Sequence, residues 1–280
     1  MFGKDHIEYK TDDQLRAMRR AGLVVVKIHE ALRAAVAPGM TTQELDDVAK
    51  GVLDAAGAKS NFFGYYGYPG QVCISVNEVI VHGIPGERVL QPGDIVSFDC
   101  GAVVKGWHGD AAFSVVLPGG DPEVMARRQK LSEITEESMW RGIAAMATGK
   151  YVSEIGWAID DYVSTLPDDV RPSIIEEYVG HGIGSQMHQD PEVVNYGTRA
   201  KGPKLKPGMV LCIEPMLAAG SQLNETLDDE WTVVTQDGSD AAHWEHEVAL
   251  HKGGIWVLTA PDGGKAGLAP YGIVPVPLAD

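Results

Sequence analysis

Basic residues are scarce in this chain: 23 Lys and Arg stand against 39 Asp and Glu, a formal charge of −16. Nucleic-acid binding needs clustered cations to replace phosphate counterions. A polynucleotide is therefore excluded as the main partner, while a protein that handles cations fits. Long apolar runs are also missing. No stretch approaches the ~18 residues of a membrane span, and the opening MFGKDHIEYK lacks an apolar segment of signal-peptide length, so the cytoplasm is the expected location. Cysteine is limited to Cys73, Cys100 and Cys212 with no CxxC, which predicts reduced thiols rather than a disulfide framework. The Gly180-His-Gly-Ile-Gly-Ser run lacks the Lys-Ser/Thr that would complete a phosphate loop. What remains is a 280-residue chain, 44% hydrophobic and 22% charged, long enough to bury a full core as one domain or two halves.

The chain repeats itself once. Thr11–Gly39 lies without gaps over Asp121–Gly149, each copy reading as a capping residue, an acidic first turn, a helix-length amphipathic run and a small-residue stop. A second helix follows each. Thr41-Thr42-Gln43-Glu44 is a capping box before Leu45, Val48, Val52 and Leu53, and Glu154 matches Glu44 ahead of Ile155–Val163. The strands repeat too: Leu90–Asp99 (LQPGDIVSFD) corresponds to Leu205–Glu214 (LKPGMVLCIE), so both copies of an apolar strand end on a carboxylate. Buried acids are rare unless paired or bound to metal. The expected fold is α+β, a pseudo-two-fold duplicated unit whose curved antiparallel sheet is covered by four helices and brings Asp99 and Glu214 into one central space. A single catalytic domain over residues 1–280 is expected, with halves at about 11–120 and 121–259 and a Pro/Gly-rich tail over 260–280.

Asp94–Asp110 reads as a hairpin turning about Val104-Lys105. That register would set Asp99 directly opposite Asp110 with Cβ atoms roughly 5 Å apart, which calls for a cation between them or a proton on one. Alone, such a pair is more often a solvated hairpin tip. His181 sits between two glycines that admit close approach of backbone or substrate, and His188 follows it. A lone histidine is more often a satisfied core residue. In a strand, Glu245 and Glu247 would share one face with His246 on the other.

These segments together resemble the type I methionine aminopeptidases, metallopeptidases of the pita-bread fold. The resemblance rests on Tyr65-Tyr-Gly-Tyr-Pro69, Cys73-Ile-Ser-Val-Asn-Glu-Val-Ile-Val-His82-Gly-Ile-Pro, Asp94–Asp110 with His108-Gly-Asp, Gly180-His-Gly-Ile-Gly184 with His188, Lys206-Pro-Gly with Ile213-Glu-Pro, Trp231-Thr-Val and Trp244-Glu-His. It runs from about Asp13 to about Thr259. No long insertion separates His188 from Glu214, as in type I rather than type II members, and a zinc-finger extension ahead of the unit is not expected.

The resemblance implies that Asp99, Asp110, His181, Glu214 and Glu245 hold two divalent metal ions, with Asp110 and Glu245 bridging. Glu245 is preferred to Glu247 because it precedes His. Such a hard, oxygen-rich set suits Co, Mn, Fe or Zn. His82 and His188 would contact the substrate amine and the scissile peptide, and Glu214 would shuttle a proton to the leaving amine. Tyr65, Tyr68, Cys73, Met187 and Trp231 would surround the side chain to be removed, Met187 replacing the aromatic residue usual in the family and Cys73 lying at the pocket rim. The implied activity is removal of an N-terminal methionine from nascent chains when the next residue is small. A monomer is expected, with no membrane and no direct nucleic-acid binding, and with room for a transient ribosome contact. A proline-directed peptidase of this fold usually carries an extra N-terminal domain, for which only a short lead is present. A catalytically silent binding protein of this fold would be expected to lose ligands or gain basic extensions, whereas all five ligand positions are filled and the chain is acidic.

Overall fold

The computed structural model describes residues 6–278. Met1–Asp5, half of the opening stretch read above for a signal segment, and the last two residues of the tail lie outside the described residues. The helices begin where the capping signals stand. Helix α1 spans Asp12–Ala35, with a capping box between Thr11 and Gln14, and α2 spans Thr42–Ala56, with one between Thr41 and Glu44. In the second half, Asp121 accepts from the amides of Glu123 and Val124 to open α3, Pro122–Thr148, with Pro122 in the first turn where its missing N–H costs nothing. Helix α4, Ser153–Thr165, has half a box: Glu154 reaches back to the amides of Lys150 and Tyr151, but Val152 at the cap offers no side-chain acceptor.

A core lies under each pair of helices. Val25, Ile28 and Leu45 of α1 and α2 pack on Phe98 and Phe113, while Ile143, Ile155 and Ile159 of α3 and α4 pack on Leu211, Ile213 and Val248. In the first half the strands Ile95–Val104 and Trp107–Val116 form a long hairpin, extended on its other edge by Cys73–Val76 and Lys59–Ser60. In the second, Gly254–Val257, His246–His251, Val210–Ile213, Gly180–Gly182 and Gln189–Val193 lie side by side in that order, every pair antiparallel. The two sheets meet at Ala112 and Glu245. These residues exchange backbone hydrogen bonds of 3.3 and 3.0 Å, so Glu245 sits on the seam between the halves.

The hairpin register differs from expectation. The turn is Lys105-Gly106, whose φ values of 52° and 83° both lie in the left-handed region that a two-residue hairpin loop demands. Asp99 therefore pairs with Ala112, and Asp110 with Gly101. The two aspartates are diagonal neighbours rather than directly opposed. Because the shift is two residues, both still project from the same face.

The tail is not a loose appendage. The Arg19 guanidinium of α1 donates to the carbonyls of Leu258, Ala260 and Pro261, Leu268 enters the second core, and the Val276 amide bonds the Ile255 carbonyl at 3.0 Å. Glycine makes the closest approach of helix to hairpin: a Cβ on Gly109 would lie 2.7 Å from the Gly22 amide nitrogen of α1. Gly109→Ala should therefore destabilise the protein by about 1–3 kcal/mol through overpacking. Gly51→Ala, in the exposed middle of α2 with nothing within 4 Å of the new methyl, should stabilise it by about 1 kcal/mol. Urea midpoints measure both, and equal midpoints for Gly109→Ala and the parent would refute the close-packing account.

Candidate active site

All twelve side chains singled out by the sequence line one cavity of about 340 Å³. Asp99 and Asp110 reach it from the hairpin, His181 from the Gly180–Gly182 strand, Glu214 from the residue after Val210–Ile213, and Glu245 from the seam. None of these five is more than 9% exposed. Such burial of four carboxylates needs compensation. Hydrogen bonds do not supply it, because Asp99 Oδ1, Asp110 Oδ1, Glu214 Oε1 and Glu245 Oε1 have no hydrogen-bond partner among the described residues. Burial pushes the Asp110, Glu214 and Glu245 carboxyls well above the usual carboxylate range, and neighbouring carboxylates push the same way: Glu245 on Asp110, Asp99 on Glu214, Glu214 on Glu245. Burial raises Asp99 to about 6, with His243 pulling in the opposite direction.

The imidazole is arranged as a donor to a cation. His181 Nδ1 lies 2.9 Å from the Gly182 carbonyl, which can only accept, so the proton is on Nδ1 and Nε2 keeps its lone pair. Burial, followed by the nearby His188, lowers its pKa to about 3, so the ring is neutral. His181 Nε2 is 3.3 Å from Glu214 Oε1, and His243 Nε2 is 3.7 Å from the other oxygen of that carboxylate. Ligand atoms of Asp110, His181 and Glu245 lie within 4.8 Å of one another, and the thiol of Cys212 belongs to the same group. Unpartnered oxygens, a neutral imidazole lone pair and mutual repulsion together fit a divalent cation site.

The sequence reading missed Cys212 and His243. Each stands two residues before a named carboxylate, Glu214 or Glu245, so the two-residue period of a strand was the available signal. Glu247 is buried but does not line the cavity; it accepts the Asp110 amide at 3.2 Å from behind.

The rest of the cavity is an apolar wall. Tyr68, Cys73 and Met187 are buried together with Phe62, which the sequence reading did not name, and Trp231 closes the group with its ring 5.1 Å from that of Tyr68. Cys73 is in the buried wall, paired across strands with Asp99, rather than at the rim. Burial holds its thiol well above the usual range, so it is a neutral lining group. His82, at a left-handed φ of 59°, sets its ring edge against Trp231 and Tyr178. His188 stands at the mouth, its ring 4.3 Å from that of His181.

The family model for metallopeptidase family M24 matches residues 16–252, which carry the whole of this cavity. The chain belongs to metallopeptidase family M24. Among M24-type relatives, methionine aminopeptidase 1 of Bacillus subtilis is 46% identical over 89% of this chain and 98% of its own length. The crystal structure of a methionine aminopeptidase from Rickettsia prowazekii superposes with a TM-score of 0.85 at 31% identity, covering 91% of this chain and all of that one. Prolidase from Pyrococcus furiosus shares the fold, with a TM-score of 0.70 at 19% identity over 90% of this chain and 65% of its own. The fold is the pita-bread fold, and as an M24 metallopeptidase the protein is a metal-dependent peptide hydrolase.

Carboxyls whose affinity for protons is raised by burial and by one another release protons when a cation binds. The apparent affinity for Mn²⁺ or Co²⁺ should accordingly rise as the pH climbs through the Asp99 value of about 6, and titration calorimetry in buffers of different ionisation enthalpy should detect proton release on loading. Asp110→Asn should weaken loading at least about tenfold. Loading that is independent of pH, or unchanged in Asp110→Asn, would remove the cation from this cavity.

Proposed function

We propose that this M24 enzyme removes N-terminal methionine from peptides and nascent chains when the next residue is small. It would do so with two divalent ions held by Asp99, Asp110, His181, Glu214 and Glu245. The observation that supports this best is the continuity of the cavity: a carboxylate and imidazole floor runs directly into an apolar wall of Tyr68, Cys73, Met187 and Trp231. Divalent cations held on that floor would supply the charge that polarises a carbonyl and makes water nucleophilic near neutral pH.

The chain's own residues do the rest. Aromatic edges and a polarizable sulfur suit an unbranched thioether. Among the described residues no Lys or Arg lines the cavity, and its carboxylates are all on the floor, so the wall offers nothing to a charged side chain. His82 faces the substrate amine, which requires an unblocked terminus and limits cleavage to one residue at a time. Burial, with His243 and His188 adding to it, lowers His82 to about 4, so it meets the amine as a neutral acceptor. His188 donates to the scissile carbonyl oxygen. Glu214, with an imidazole near each oxygen, moves the proton to the leaving amine.

Leucine and norleucine should leak through, because a methylene or sulfur difference is worth only about 1–3 kcal/mol. The expected order of kcat/KM is Met-Ala-Ser first, Leu-Ala-Ser behind it, and Lys-Ala-Ser, Ala-Pro-Ser and formyl-Met-Ala-Ser near background. Equal rates on the methionyl and lysyl peptides, or ready cleavage of the formylated one, would overturn the specificity, and preference for Ala-Pro-Ser would replace it with a proline-directed activity. His188→Ala should keep its metal and lose about 10²-fold or more in kcat.

A further inference from the structure

Tyr65 was expected to help wall the side-chain slot, but its hydroxyl does something else. Tyr65 Oη lies 2.9 Å from His188 Nδ1, with the two rings 5.6 Å apart and tilted. His188 is exposed at the cavity mouth, in the bend just before the Gln189–Val193 strand. Among the described residues this is the one hydrogen bond its ring makes, its other close ring contact being the edge-on approach to His181. We infer that Tyr65 is a positioning residue for His188: its O–H donates to Nδ1, which leaves the imidazole proton on Nε2 and aims that N–H at the scissile carbonyl. The inference rests on the role given to His188 above.

A further observation supports it. The segment that presents Tyr65 is a tight turn in which Gly64, Tyr66 and Gly67 all have positive φ, and Tyr66 at 44° is an aromatic residue in a conformation such residues seldom adopt. Backbone strain of this kind, of order 1–3 kcal/mol, persists where the surroundings enforce it and clusters at functional sites. The Tyr66 ring packs edge-on against Tyr65 at 4.7 Å while 85% of Tyr66 remains exposed, so it braces Tyr65 rather than filling a core. A neutral imidazole carries a single ring proton. Only a fixed partner decides which nitrogen bears it.

Tyr65→Phe keeps the ring, and so keeps any wall, while deleting the hydroxyl. In the Zn²⁺-loaded enzyme the variant should fold normally and bind two equivalents of metal as the parent does. It should lose about tenfold in kcat on Met-Ala-Ser with KM changed less than about twofold. Long-range ¹H–¹⁵N spectra of the ring should report Nε2–H in the parent and a tautomer mixture in Tyr65→Phe. The double variant Tyr65→Phe/His188→Ala should be no slower than His188→Ala alone, since the hydroxyl acts only through that ring. A raised KM with unchanged kcat, or an unchanged tautomer, would overturn the inference and leave Tyr65 as a wall. Should His188→Ala retain full activity, it is the role of His188 that fails, and the Tyr65 inference falls with it.

Discussion

Four buried carboxylates share one small space between two halves, and the remainder of the structure can be understood as the means of keeping them there. At roughly 4 Å and an effective dielectric of about 20, one pair of like charges costs about 4 kcal/mol. A handful of such pairs would consume the ~5–15 kcal/mol that a domain typically has to spare. The arrangement is therefore tolerable only if the carboxyls hold protons or face cations. It also requires that stability come from elsewhere, and it does. Apolar cores lie under α1–α2 and under α3–α4, Trp244 packs against both, and Leu15 and Met18 of α1 pack on Ile183 and Val210 of the second half, so burial on either side of the seam and across it supplies that stability.

The seam has its own outer supports. Glu247 fixes the Asp110 backbone from behind, and Lys10 and Arg19 lower the pKa of its own buried carboxyl against the upward push of burial. Arg19 also grips the carbonyls of the tail. A single cation on α1 thus ties together the residue behind Asp110, the first helix and the C-terminal strap. Ser97 and Ser114, hydrogen-bonded to each other at 2.7 Å and to the backbone of His243, stitch the hairpin to the segment leading into Glu245. Small errors in any of these would move a carboxylate along the seam.

Much of this was legible in the sequence because it is written in local or periodic signals. Thr41 and Glu44 cap α2 by chemistry that needs no tertiary context, and the duplicated LxPG strands announce their terminal carboxylates by repetition. The hairpin register was not legible by symmetry, since Val104-Lys105 and Lys105-Gly106 are both plausible centres until the requirement for two positive φ values is imposed; only the second offers glycine. Cys212 and His243 carried a local signal, each standing two residues before a carboxylate, but what they face depends on which strands lie side by side across the seam. The tail was unreadable for a related reason: its Pro and Gly content encodes no period, and its order comes from Arg19, Trp140 and Ile255, all distant in sequence.

Duplication alone would give a symmetric site, and a symmetric site could not orient a peptide. The two halves contribute matching carboxylates but unlike surroundings. Three of the four imidazoles around the floor, His181, His188 and His243, come from the second half, whereas Phe62, Tyr65, Tyr68 and Cys73 of the wall come from the first, with Met187 and Trp231 closing it. On the proposed function, a substrate that fills the wall with its side chain would lay its amine and its scissile bond across the seam, one toward His82 and the other toward His188. This asymmetry would then set the direction of the chain, and the Tyr65 to His188 hydrogen bond joins the two halves at the mouth of the cavity.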